Sequence, residues 1–374
     1  MKKAALSVIL AIPFAIIVFF YDNLLAPTKL YPLTYSVNKK SLTPPDNIES
    51  SSILFIGDRV AVHHSSFIDD IMSKLQSDQI ENLKISNWAS AGDGLHRTVA
   101  KIQSLNETPK VIIYSGGSEE FFEKRLSLVD RNAINTNISR YENDMIFSLI
   151  LSFPSLSKFI YKPTKNFLLG KEPNQDKSEF SALGAQSKIE IVFKFFEIEL
   201  KRLAEKTRKS NSFLFLITTP IKRDLPPSET CENANTQTIE NFQNKLSHQL
   251  KLGKAKQALP KLEELVKKTV ANAKSHYLLA NAYKQLGFLN ESKKQFELAN
   301  AYDCNPIRGH VAFNQMLRKV AKKYDHIVLI DFDHKLNHKF GKDTLFKSDL
   351  FPHDFYYYQI NQQIVKAIKQ SLKI

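Results

Sequence analysis

Short apolar runs alternate along this chain with stretches of helical periodicity. Ile53-Leu54-Phe55-Ile56, Val111-Ile112-Ile113-Tyr114, Phe213-Leu214-Phe215-Leu216-Ile217 and Ile327-Val328-Leu329-Ile330 are each stopped by Gly, Ser, Thr or Asp. Continuous apolar runs of this length are the pattern of strands buried on both faces. A further strand is predicted near Leu83 to Ser86, and helices over 67–76, 95–104, 187–206, 311–323 and 357–372. Strands alternating with helices predict a parallel sheet covered on both sides, a three-layer α/β/α domain.

Two stretches break the alternation. After Met1-Lys2-Lys3, residues Ala4 to Tyr21 form 18 residues without a charge. That is the lower limit for crossing a bilayer and longer than most signal-peptide cores, and neither a small-x-small cleavage pattern nor a lipid-accepting Cys follows it. Residues 1–22 therefore predict a transmembrane signal anchor, and the two lysines place its start in the cytoplasm and the remaining chain outside. Residues 23–50, with Pro27, Pro32, Pro44 and Pro45, read as an extended linker.

The second break is 236–305, which separates an α/β part at 51–235 from another at 306–374. Two helical pairs there align with Gly253 and Gly287, 34 positions apart, the tetratricopeptide period. Leu279, Ala280, Tyr283, Ser292, Phe296, Ala299 and Pro306 sit where that repeat places its small, aromatic and terminal residues; the copy around Gly253 is poorer. About two repeats rarely stand alone, so the insertion is expected to pack on the α/β body, as a cap or a peptide-holding surface. The irregular stretch from Glu119 to Gly184 reads as an insertion that caps a pocket or lies on a membrane, or as ordinary packing.

Four stretches carry candidate chemistry, in chain order: Gly57-Asp58-Arg59; Asn87-Trp88-Ala89-Ser90-Ala91-Gly92; Ser115-Gly116-Gly117-Ser118-Glu119; and Asp349-Leu350-Phe351-Pro352-His353. In order and spacing they resemble the four blocks of the SGNH (GDSL-type) hydrolases, over roughly 50–220 and 306–374. The resemblance implies a flavodoxin-like parallel sheet and hydrolysis or transfer of an ester-linked acyl group. It makes His353 the general base, Asp349 its orienter, and the Gly92 amide with Ser118 the oxyanion donors, with Asp58 beside them. It also exposes departures. Arg59 stands where the family has its nucleophilic Ser, Ser118 where it has an Asn, and Asp349 and His353 are four residues apart where the family has three.

A guanidinium carries no acceptor and is always protonated, so Arg59 cannot attack a carbonyl. Loss of one oxyanion donor costs about a hundredfold to a thousandfold in turnover, and loss of the nucleophile costs more. The expectation is thus a catalytically silent relative whose Arg59 binds an anionic group, or is paired with Asp58, Asp349 or Glu119. Ser65-Ser66 would be the substitute nucleophile in an active acetyl-ester hydrolase or acyltransferase acting on envelope saccharides.

The formal net charge of +14, from 52 basic and 38 acidic residues, adds an attraction for polyanions. No basic run interleaved with aromatics and no zinc or helix-turn-helix spacing points to nucleic acid, so an anionic lipid surface or an acylated or acidic glycan is the expected partner. A protein partner is assigned to the helical insertion. Cys231 and Cys304 flank that insertion and can pair in an oxidising compartment. No cofactor is implied, and no metal site, since His63-His64 are adjacent and cannot both face one ion. The expected location is a bacterial inner membrane, single-pass, with the bulk of the chain periplasmic.

Overall fold

The computed structural model describes residues 35–36, 42–45, 48, 51–77, 83–123, 145, 167–168, 182–228, 236–304, 306, 308–341 and 344–373. In chain order the elements are Tyr35–Ser36 (β1), Ile53–Gly57 (β2), Arg59–Ser65 (α1), Ile68–Ser77 (α2), Ile85–Asn87 (β3), Leu95–Ser104 (α3) and Val111–Ser115 (β4). Then come Glu120–Glu123 (α4), Phe167–Leu168 (β5), Ala182–Lys209 (α5) and Phe213–Ile217 (β6). Four helices follow, Thr236–Lys251 (α6), Ala255–Lys268 (α7), Ala273–Gln285 (α8) and Leu289–Ala301 (α9). The chain ends with Val311–Ala321 (α10), Ile327–Ile330 (β7), Phe332–Asn337 (α11) and Asp354–Leu372 (α12).

Five strands form one all-parallel sheet in the order β3-β2-β4-β6-β7. Counted within the sheet this is 2-1-3-4-5, the doubly wound flavodoxin-like order. Alternate strand residues serve two cores. Leu54, Ile56, Ile112, Tyr114, Leu214 and Leu216 pack under α3, α5 and α10, whereas Ile53, Phe55, Val111, Ile113, Phe215 and Ile217 pack under α1, α2 and α12. Both faces are covered, which is why the strands read as unbroken apolar runs. The expected α/β/α layering is present.

Register sets where chemistry can occur. Gly57 pairs with Ser115, Ser115 with Ile217, and Ile217 with Ile330, so four strands end in line and their following loops open along one edge. The strand order reverses between β2 and β4, and open α/β sheets bind ligands in the crevice at such a switch point.

Most expected elements appear within a few residues of their predicted limits. β3 is displaced to Ile85–Asn87, and α12 starts at Asp354 rather than Tyr357, with His353 as its extended N-cap and an acid in its first turn. The helices at 236–301 form two hairpins, turning at Gly253 (φ 72) and Gly287 (φ 82). They have a core of their own around Leu246, Ala258, Leu262 and Leu279. They also join the α/β body: Asn300 accepts from Val311 N at 2.8 Å, Arg223 meets Glu297 at 3.2 Å and Lys284 meets Asp224 at 2.9 Å.

Among the described residues no helix is long and apolar enough to cross a membrane. The anchor expected at 4–21 lies outside them, as do most of the linker and residues 124–144 and 146–166 of the irregular stretch. Tyr35–Ser36 of the linker pairs in parallel with Phe167–Leu168. Cys304 is buried and disulfide-bonded; Cys231, the other of the chain's 2 cysteines, lies outside the described residues.

Candidate functional site

The switch point is built from two turns. Gly57 ends β2 with φ +145, and a Cβ there would lie 1.8 Å from the Ser115 carbonyl oxygen, so only glycine lets β2 turn this tightly against β4. The next residue, Asp58, caps α1: its Oδ1 accepts from Val60 N at 2.8 Å. Its Oδ2 accepts from Gly117 N at 2.9 Å, Ser118 N at 2.7 Å, the Ser118 hydroxyl at 2.9 Å and Glu119 N at 3.3 Å. Successive backbone N–H groups converging on one point make an anion-binding concavity. Here the chain fills that concavity with its own carboxylate. Burial pushes the Asp58 carboxyl up from its usual range, while these donors pull against it.

Arg59 opens α1 at the mouth of this turn. Its guanidinium is ion-paired with Glu119, one of the three partners expected for it; the Arg59 side chain is 46% exposed and that of Glu119 only 3%. The cation therefore faces solvent at the switch point while its partner is sunk behind it. Ser65 is no substitute at this place, because its hydroxyl donates to Val62 O at 2.7 Å on the last turn of α1.

The second and third blocks reach the same edge. Ser90 N donates to Gly57 O at 3.1 Å, tying the Gly92 loop to the end of β2; Gly92 itself has φ +83 and open space around it. Ser118 is buried, with both its amide and its hydroxyl given to Asp58. The late block comes over α1, where the Phe351 ring lies 4.2 Å from that of His63. His63 is a contact the sequence did not single out, and burial lowers its pKa. Asp349 pairs with Lys222 at 2.8 Å and is 58% exposed, whereas the His353 backbone N donates to Leu345 O at 3.1 Å. No hydrogen bond joins Asp349 to His353 among the described residues.

Behind the Gly92 loop lies a buried charged layer that the sequence did not reveal. The carboxylates of Glu120, Glu123 and Glu199 come within 4.8 Å of one another, close enough to ligate one metal ion. They have structural work nevertheless. The N-cap of α3 is Gly94, which has no side chain to cap with, and Leu95 N donates to Glu120 at 2.8 Å and Arg97 N to Glu123 at 3.2 Å. Acids at a helix start satisfy its unpaired amides and its dipole. His96 meets Glu199 at 2.8 Å, and the buried Lys101 meets Asp93 at 2.6 Å and Trp88 O at 2.9 Å.

A cavity of about 590 Å³ opens at the end of β7, between α9, α10 and α11. Arg223 grips Asp333 with two bonds of 3.0 and 3.1 Å, and Arg318 grips Asp331 with two of 2.7 and 2.8 Å. Lys294, Glu297, Gln315, Lys322, His334 and Asn337 complete its polar lining. The fold and this edge define an open, doubly wound α/β protein with its loops gathered at a self-filled switch point. Neither a scan against protein-family models nor a search of curated proteins matches the chain.

Proposed function

We propose that this chain is an SGNH-type α/β domain disarmed at its nucleophile position, anchored in a membrane by residues 4–21, that binds an acidic or acylated envelope saccharide. The observation that carries the reading is Arg59: a half-exposed guanidinium at the start of α1, held over the switch point by buried Glu119. Acyl transfer needs a nucleophile within reach of a base and donors aimed at the developing oxyanion. Arg59 supplies neither acceptor nor transferable proton, the Ser118 hydroxyl is committed to Asp58, and Asp349 is committed to Lys222. A planar fork of donors suits carboxylate or ester oxygens, which favours binding over turnover.

The disulfide of Cys304 supports an oxidising, extracytoplasmic compartment for the domain. The hairpins α6–α9, tetratricopeptide-like in their 34-residue spacing, are then the surface for a protein partner.

The test uses the full chain in detergent, as wild type and as Arg59→Ala. Wild type is expected to bind oligogalacturonate, to leave an activated acetyl ester intact and to resist a serine-directed fluorophosphonate; Arg59→Ala loses the saccharide. Covalent labelling of wild type would instead establish an active esterase, and mapping the labelled Ser would locate its nucleophile.

A further inference from the structure

Helix α11 carries two histidines that this reading does not use. His334 lines the cavity at the end of β7, and His338 follows one turn later as the C-cap. Positions i and i+4 share a helix face. Both side chains are exposed, so packing does not force them together, yet their Nε2 atoms lie 2.9 Å apart with the rings inclined at 78°.

We propose that His334 and His338 form a two-imidazole chelate for a divalent copper or nickel ion, whose tetragonal geometry sets neighbouring ligands at right angles. Imidazole suits these ions. Metal–nitrogen bonds of about 2.05 Å place two ligands at right angles about 2.9 Å apart, which is the separation of these two nitrogens. In the metal-free chain that approach is a hydrogen bond from one Nε2–H to the other ring's lone pair, which holds the pair convergent in advance. On binding, the donor ring carries its proton on Nδ1 instead, both Nε2 lone pairs face the ion, and water completes the coordination.

The surroundings leave room for a cation. The two lysines of the neighbouring stripe are drawn away towards α12: Lys335 Nζ reaches Gln359 O at 3.4 Å, and Lys339 lies over the Tyr356 ring. Asp331 and Glu297 line the same cavity as His334, each balanced by an arginine, Arg318 at 2.7 Å and Arg223 at 3.2 Å.

The experiment is a Cu²⁺ titration of the full chain, carrying no polyhistidine tag, followed by electron paramagnetic resonance. Wild type is expected to take up an ion at pH 7.5 with two nitrogens in its equatorial hyperfine pattern. His334→Gln and His338→Gln keep a polar group without the imidazole ligand. Each should leave the far-ultraviolet circular dichroism unchanged, remove one nitrogen from the pattern and weaken binding at least about tenfold, the loss seen even when only a ligand's hydrogen-bond partner is removed. Equal Cu²⁺ affinity in wild type and both variants, or a wild-type spectrum without two nitrogens, overturns the proposal.

Discussion

Asp58 Oδ2 takes both the backbone N–H of Ser118, at 2.7 Å, and its hydroxyl, at 2.9 Å. The two residues come from the loops after neighbouring strands, so one carboxylate fastens the switch point of the sheet shut. An incoming anion cannot use amides already given to Asp58 and has to meet Arg59 in front of them.

Asp58→Asn tests this fastening. The amide keeps an oxygen for the Val60 cap but turns an NH₂ towards the Gly117 and Ser118 donors. Each buried donor left unmet costs about 1–3 kcal/mol, so a loss of roughly 3 kcal/mol or more is expected in denaturant titration. Wild-type stability in this variant would mean that the loops hold without the carboxylate.

Gly57→Ala and Gly92→Ala should differ sharply although both glycines have positive φ. At Gly57 the new Cβ would strike the Ser115 carbonyl at 1.8 Å, whereas at Gly92 nothing lies within 4 Å. Gly92→Ala carries only the left-handed backbone penalty of about 1–2 kcal/mol, while Gly57→Ala is expected to lose more than about 4 kcal/mol or not to fold. Paired thermal melts decide it.

Acid should weaken the fold through two buried histidines. Burial lowers the pKa of His64 to about 4 and that of His310 to about 3, against an ordinary value of 6.5. The unfolded chain therefore binds protons first. The stability they contribute is complete above pH 6.5, declines as pH falls below it, and is gone once the pH passes the folded values. For His64 the loss is on the order of 3 kcal/mol by linkage. His310 caps α10 by accepting from Ala312 N at 3.1 Å, a task Asn also performs. His310→Asn should therefore keep neutral-pH stability and flatten the acid limb of a denaturation–pH profile.

Asp333→Ala strands the buried Arg223 that it grips through both oxygens. Removing one partner of a buried pair costs about 3–5 kcal/mol. Glu297→Ala removes a partner that is 39% exposed on the rim of the same cavity, and such pairs contribute about 0–1 kcal/mol. Equal melting points for the two variants would contradict this ranking.

The sheet could be read in the sequence because its strands are covered on both faces: Phe213 to Ile217 has no reason to be wholly apolar otherwise. The edge strand β3 was placed less well, since Ile85-Ser86-Asn87 is short and half polar. That the first three blocks share one edge of the sheet was legible from order alone, but the side-chain partners of the four blocks were not. Asp349 pairs with Lys222, 127 positions away, and Glu120 caps a helix start 25 positions upstream. Such choices are made by the tertiary fold, and no local pattern records them. Among the ion pairs, Arg59 with Glu119 was nameable because Glu119 belongs to a neighbouring block. The His334 and His338 pair was in plain view as an i,i+4 spacing, but the meeting of its nitrogens required the rotamers.

Strands β6 and β7 lie side by side, Ile217 against Ile330, yet the chain between them includes all four hairpin helices. The edge of β6 therefore remains open during synthesis until the helical array has emerged, and its Phe and Leu residues wait unpaired through that interval. Local helical contacts form fast and long-range parallel pairing forms slowly, so the array is expected to fold first and bring β7 back to the sheet. On this view the hairpins act as a timing device for closing the sheet: a helix-breaking change in α8 or α9 would show first as aggregation of a half-made sheet, before any loss in the finished protein.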